Sequence, residues 1–192
     1  GSISGDGGLI EVSGKDNLLM GGKVSASAAN GAMGELLLDP KNITVDDSTG
    51  GFPSFDLVDP NADGTNYGDT VVSLSNGNIV VVDEMDSAVV ATGGAVYLYN
   101  GSTGALINTI TGTTLDDQVG SGGVVDLTNG NFVVRSPKWN NGGTLDVGAV
   151  TVVSGSLGTA VTGGGSTVST TNSLYGLTAS DAVGNSSLTV LA

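Results

Sequence analysis

Asp59, Asn61, Asp63 and Gly64 stand in the run DPNADG at 59–64. Oxygen ligands at alternating positions can converge on one point when a glycine lets the chain turn, and hard oxygen donors suit calcium. The same residue types also make an ordinary turn. Asp46, Asp47 and Asp56 would enlarge such a site only if the fold brought them close. A second acidic group, Asp83, Glu84 and Asp86, lies between two apolar runs. Paired carboxylates can hydrolyse glycosides, but no histidine or other catalytic partner accompanies these, and a solvated loop is the simpler expectation. Arg135 and Lys138 lie beside Trp139 in RSPKWNNGG. Such a group can present a cationic and aromatic surface to a partner or glycan, or form a local ion pair with the surrounding acid.

The rest of the composition excludes more than it offers. Nineteen carboxylates against five basic groups give the 192-residue chain a net charge of −14. The five are Lys15, Lys23, Lys41, Arg135 and Lys138, and they form no stripe that would attract a phosphate backbone. Nucleic acid is therefore not an expected partner. Cysteine and histidine are absent, which removes thiol nucleophiles, imidazole bases, disulfides and most zinc chemistry. No phosphate-binding glycine loop occurs. The expectation is no catalytic residue, no organic cofactor and no enzyme. No apolar run is long enough to span a membrane. The chain starts at Gly1 with no leader and closes on SSLTVLA, and we expect it to be a piece of something longer.

Thirty-three glycines, a charged fraction of 12 % and short apolar runs point to strands separated by turns. In 1–45 the apolar clusters are Leu9, Ile10 and Val12, then Leu18 to Met20 with Val24, then Leu36 to Leu38, then Ile43 and Val45. The small residues from Ser25 to Ala29 fit the inside of a narrow β-helix. A boundary is expected near 46–55, dividing 1–50 from 51–192. The second part carries an internal repeat. SLSNGNIVV at 73–81 returns as DLTNGNFVV at 126–134, and GAVYLYNGSTG at 94–104 returns as GAVTVVSGSLG at 148–158. GTTLDDQVGSGGVVDL at 112–127 returns as GLTASDAVGNSSLTVL at 176–191. The first two offsets are about 53 and 54 residues, and the third is 64 because the stretch around 163–173 is extra. Two and a half units result, the third truncated.

Each unit is expected to hold four strands, near 70–75, 78–83, 94–99 and 106–110, then 123–127, 131–135, 148–153 and 157–162. Asn76-Gly77 and Asn129-Gly130 predict tight hairpins of the primed type, and Asn100-Gly101 another turn. Ile79 to Val82 show no polar alternation, so neither face can be assigned as buried. The fold class expected is all-β: the end of a β-helix or solenoid, followed by tandem four-stranded antiparallel propeller-like repeats.

Two resemblances extend this reading. The segments GGLIEVSGK at 7–15 and LLLDPKNITV at 36–45 resemble the filamentous-haemagglutinin-like exoproteins of two-partner secretion. The pattern from Asp59 through Val71–Val81 to Gly93–Gly104 resembles the integrin-α-like (FG-GAP type) repeats of bacterial surface proteins. The second resemblance implies a calcium loop of the form D-x-D/N-x-D-G. Asp59, Asn61, Asp63 and Gly64 match it, and Asp69 could assist. The second unit has Asp116 and Asp117 without alternating ligands.

Together these imply a non-enzymatic adhesin or stalk segment, extracellular or on a bacterial surface. Its partners would be itself, neighbouring repeats of a longer parent chain, or a host or matrix protein or glycan. A filament subunit joined through strand or sheet contacts is the alternative, and a secreted carbohydrate-active enzyme the second alternative.

Overall fold

A computed structural model of the chain describes residues 5–18, 25–28, 30–43, 55–62 and 66–190. The chain divides into two compact units, 1–54 and 55–192. Ten strands and no helix occur among the described residues.

In the first unit, β1 (Leu9–Leu18) and β2 (Glu35–Ile43) pair in parallel, Leu9 opposite Glu35 and Val12 opposite Leu38. Gly7 and Gly34 draw the preceding segments together: Gly34 N–H donates to Ala26 O at 2.8 Å and Gly7 N–H to Ala32 O at 2.8 Å. A Cβ at Gly7 would lie 2.2 Å from Ala26 O, so only glycine fits. The described part of this unit is one parallel pair.

The second unit contains two open, four-stranded antiparallel meanders. The first is β3 (Thr70–Ser73), β4 (Ile79–Asp83), β5 (Ala95–Tyr99) and β6 (Leu106–Thr111). The second is β7 (Gly123–Asp126), β8 (Asn131–Ser136), β9 (Ala149–Ser154) and β10 (Ser173–Tyr175). The sequence duplication is thus a duplication of sheets. No described sheet closes or curls, and the propeller expectation is overturned. Two layers lie face to face in an open stack, whereas a propeller needs about four or more blades around a channel.

The hairpin turns also differ in detail from expectation. Gly77 N–H donates to Leu74 O at 2.9 Å and Leu74 N–H to Asn78 O at 2.8 Å, closing a three-residue loop. Gly77 has φ +87° and Asn76 does not have positive φ. A type I turn followed by a left-handed glycine therefore replaces the two-residue primed turn. Leu127, Gly130 and Asn131 repeat it. In the turn after Tyr99 the left-handed residue is Gly104, at φ +69°, not Gly101.

The fourth strand of the second sheet is displaced. Residues 157–162 were expected to form it, but there the chain only touches the sheet, through an isolated bridge between Val153 and Ala160. Gly163, Gly164 and Gly165 all have positive φ and turn the chain out of the sheet. It crosses to the edge of β6, where Thr111 N–H donates to Ser166 O and Val168 N–H to Thr111 O, both at 3.0 Å. It then returns as β10.

One core joins the sheets. Val80, Val82, Val96, Leu98 and Ile110 of the first meet Phe132, Val134, Ala149 and Val153 of the second. Full burial of such side chains contributes about 1.5–3 kcal/mol each. The opposite face of the first sheet is buried too. Val81, Ala95, Tyr97 and Tyr99 lie there, with Ile79, Leu57 and Tyr67 packed on them. Both faces of β4 are covered, which is why Ile79 to Val82 show no alternation.

Candidate functional site

The tyrosine face of the first sheet carries the acidic centre. Asp59, Asp83 and Asp86 each bring one carboxylate oxygen within 4.8 Å of the other two. Asp83, the last residue of β4, is 0 % exposed and Asp86 is 2 % exposed, so the expected solvated loop is instead buried. Each carboxylate is set by a local turn in which it accepts a backbone N–H two residues on. Asp59 Oδ1 accepts from Asn61 at 2.9 Å, Asp83 Oδ1 from Met85 at 3.0 Å and Asp86 Oδ1 from Ala88 at 2.8 Å.

Tyrosines surround these acids. The Tyr97 hydroxyl donates to Asp86 Oδ2. Burial, then that hydrogen bond and the charges of Asp86, Asp59 and Asp83, hold the Tyr97 hydroxyl far above its ordinary pKa. Tyr67 donates to the Tyr99 hydroxyl at 2.8 Å, and its ring meets Tyr97 edge-on with centroids 5.7 Å apart. Burial raises both of those hydroxyl pKa values as well. A recess of about 280 Å³ opens beside Asp86 and Tyr97, walled by Pro60, Val89 and Thr109.

Chemically, the cluster offers only hard oxygen donors, and it can chelate a metal ion. Two unit charges about 4 Å apart interact by about 4 kcal/mol at an effective dielectric of 20. A cation would relieve that repulsion. The residues expected to ligate a metal are only partly brought together. Asp59 is in the cluster, Asn61 supplies its backbone N–H to Asp59, and Asp69 is exposed and outside it. Asp63 lies outside the described residues. Among the described residues, the carboxylates that join Asp59 are Asp83 and Asp86. Their distance along the chain hid them; only the pairing of β4 with β5 and the folding of 55–62 over that face unite them with Asp59.

A second set of carboxylates serves the backbone. Asp117 is fully buried, and its Oδ2 accepts N–H groups from Thr113 at 2.9 Å and Thr114 at 2.8 Å. Its Oδ1 accepts from Asn140 N–H at 3.0 Å. Burial pushes the Asp117 carboxyl above its ordinary pKa, and these amide donors pull part of the way back. Asp181 does the same for Leu177 and Thr178. The aspartate shared by GTTLDD and GLTASD was the available signal, missed because the loop lacks alternating metal ligands.

Of the two readings of the group around Trp139, the local ion pair forms and the cationic and aromatic surface does not. Trp139 is 4 % exposed and meets Tyr175 edge-on at 6.1 Å. Lys138 pairs with Asp146 at 3.8 Å, and the Arg135 guanidinium donates to the carbonyls of Gly184 and Ser186.

Among the described residues no helix is long and apolar enough to cross a membrane. A family model described as a repeat of unknown function (DUF5650) matches residues 126–185. No curated protein and no solved structure matches the chain. The matched segment runs from the end of β7, through the displaced fourth strand, to just beyond Asp181, about one period of the structural repeat.

Proposed function

We propose that the chain is a non-catalytic module of an extracellular bacterial surface or secreted protein, an adhesin or stalk segment stiffened by calcium. The observation that carries this reading is what its buried and half-buried acids do. Asp59, Asp83, Asp86 and Asp117 each accept backbone N–H groups and hold loops in place. A catalytic carboxylate pair must instead face its substrate. The resemblance of 1–45 to filamentous-haemagglutinin-like exoproteins and of the later repeats to integrin-α-like ones supports an extracellular setting. The all-oxygen cluster at Asp59, Asp83 and Asp86 supports calcium over softer metals. Its partners would be neighbouring repeats of a longer chain, or a matrix protein or glycan.

The test is solid-phase binding of the purified chain to immobilised matrix proteins and glycans, in calcium and in chelator. Saturable binding without turnover of the glycan is expected, weaker in chelator. Release of sugar from any glycan, or failure to retain the chain on any surface, would overturn the reading.

A further inference from the structure

The contact between the two sheets is head to tail. Phe132, Val134, Thr151 and Val153 face the first sheet, and their counterparts in the repeat are Ile79, Val81, Tyr97 and Tyr99, on the first sheet's far side. Opposite faces of equivalent sheets therefore meet, and such a contact leaves the far face of the second sheet free to receive a further unit in the same way.

The outward face of the second sheet holds the counterparts of the first sheet's buried face. One row of the first sheet runs Val72, Val80, Leu98, Asn108, and the next runs Thr70, Val82, Val96, Ile110. In the second sheet the rows are Val125, Val133, Val152 and Gly123, Arg135, Val150, Leu174. Ile110 is 1 % exposed, whereas Leu174 in the same place is 76 % exposed. Val96 and Leu98 are buried, and Val150 and Val152 are only half-buried, while Val133, at the centre of the face, is buried like its counterpart Val80.

The first step of the next contact is already made. Gly112 N–H donates to Gly94 O at 3.2 Å and Val119 N–H to Gly93 O at 3.0 Å as the chain leaves the first sheet. Gly176 N–H donates to Gly148 O at 3.2 Å and Val183 N–H to Val147 O at 3.1 Å as it leaves the second. Gly120 lies over Val82 and Val96, and Gly184 lies over Arg135 and Val150. Asn76 reaches from the first sheet's hairpin to Gly155 O of the second at 2.9 Å, and Asn129 occupies the same hairpin position one unit on.

We infer that the face formed by Val125, Val133, Val150, Val152 and Leu174 is a docking surface for a further four-stranded unit of this same repeat, led in by residues 176–190. The occupant needs an apolar inner face like Phe132, Val134 and Val153, and a glycine carbonyl within reach of Asn129. Arg135 departs from the valine at the corresponding position, and its hydrogen bonds to Gly184 and Ser186 tie the lead-in segment down. This rests on and deepens the reading of the chain as a stalk segment whose partners include neighbouring repeats, and it holds or fails whether or not the chain binds a surface ligand.

The chain has no cysteine, so Leu174→Cys introduces a single thiol. The experiment compares its alkylation rate in the full chain with that in a chain extended after Ala192 by a copy of residues 129–190. In the extended chain the thiol is expected to react at least about tenfold more slowly, and Val152→Lys is expected to restore fast reaction. Leu177→Cys, 82 % exposed and outside the face, should react alike in both. Equal rates at Leu174→Cys would overturn the proposal, as would protection that survives Val152→Lys. An added copy that gains no strand signal in circular dichroism would overturn it too, because the face should order it. A rate in the unextended chain that falls with protein concentration would give the face to a second copy instead, and also overturn it.

Discussion

Asp117 and Asp181 hold the same loop in successive repeats. Asp117 Oδ2 accepts the N–H groups of Thr113 and Thr114 at 2.9 and 2.8 Å, and Asp181 Oδ2 accepts those of Leu177 and Thr178 at 2.9 and 2.8 Å. The environments differ. Asp117 is 0 % exposed and takes a third N–H from Asn140, while Asp181 is exposed. A buried donor left without an acceptor costs about 1–3 kcal/mol, an exposed one far less. Asp117→Ala should therefore lower unfolding free energy by about 2–4 kcal/mol, and Asp181→Ala by less than about 1 kcal/mol. Urea denaturation of the two variants checks this; equal losses would show that burial does not set the cost.

The pH dependence of Asp117 follows from burial. Its folded pKa lies above the ordinary value, chiefly because the buried charge is desolvated. A raised folded pKa means that the contribution of this group to stability is fully present below its unfolded pKa. That contribution is lost as pH rises through the folded value. The destabilisation by Asp117→Ala should thus be larger at pH 4 than at pH 7. Paired urea curves for the natural chain and the variant at the two pH values test the sign, and a larger loss at pH 7 would reverse it.

The acidic cluster gives a metal-dependent prediction. If calcium sits among Asp59, Asp83 and Asp86, millimolar calcium should raise the thermal midpoint of the natural chain, since a ligand bound only to the folded state stabilises it. Asp86→Asn should blunt the rise, whereas Asp69→Asn, which alters an exposed residue outside the cluster, should leave it intact. Differential scanning calorimetry in calcium, in magnesium and in chelator reads this out. An equal rise in both variants would assign the effect to general screening of the negative charge.

Some of this architecture was legible and some was not, for physical reasons. The sheets of the second unit were legible because hairpins are local: the NGN runs at 76–78 and 129–131 specify their own turns, and the duplication exposes the period. The faces of β4 were not, because a strand covered on both sides carries no alternation. The fourth strand of the second sheet was misplaced because three consecutive glycines detach the chain for ten residues before it pairs again at Ser173. Asp59 was legible as a ligand type, but its partners Asp83 and Asp86 reach it only through tertiary packing, and Trp139 looked like surface because its neighbours in sequence are charged or polar.

That detour after Val161 is pinned by one side chain. Asn172 is buried, and its Oδ1 accepts from Ser169 N–H at 2.9 Å. Its Nδ2 donates to Gly164 O at 3.2 Å and Thr167 O at 2.8 Å. Together these bonds hold Val168, 2 % exposed, in the core shared by the two sheets. The Ser173 hydroxyl also donates to Asn172 Oδ1 at 2.9 Å. Asn172→Ala removes all four bonds and leaves two carbonyls, one N–H and one hydroxyl to find other partners. It should cost about 1–3 kcal/mol and make the segment around 161–171 the first site of proteolytic cleavage, because backbone that loses its internal hydrogen bonds opens locally at low free energy. Asn172→Asp keeps the acceptor but turns a carboxylate oxygen towards the Gly164 and Thr167 carbonyls in a buried position, so its loss should be at least as large as that of Asn172→Ala. Limited proteolysis with mass mapping, alongside urea denaturation, tests both. If cleavage of Asn172→Ala begins elsewhere, the detour is held by the Thr111 bridge and the apolar contact of Val168 and not by the Asn172 amide.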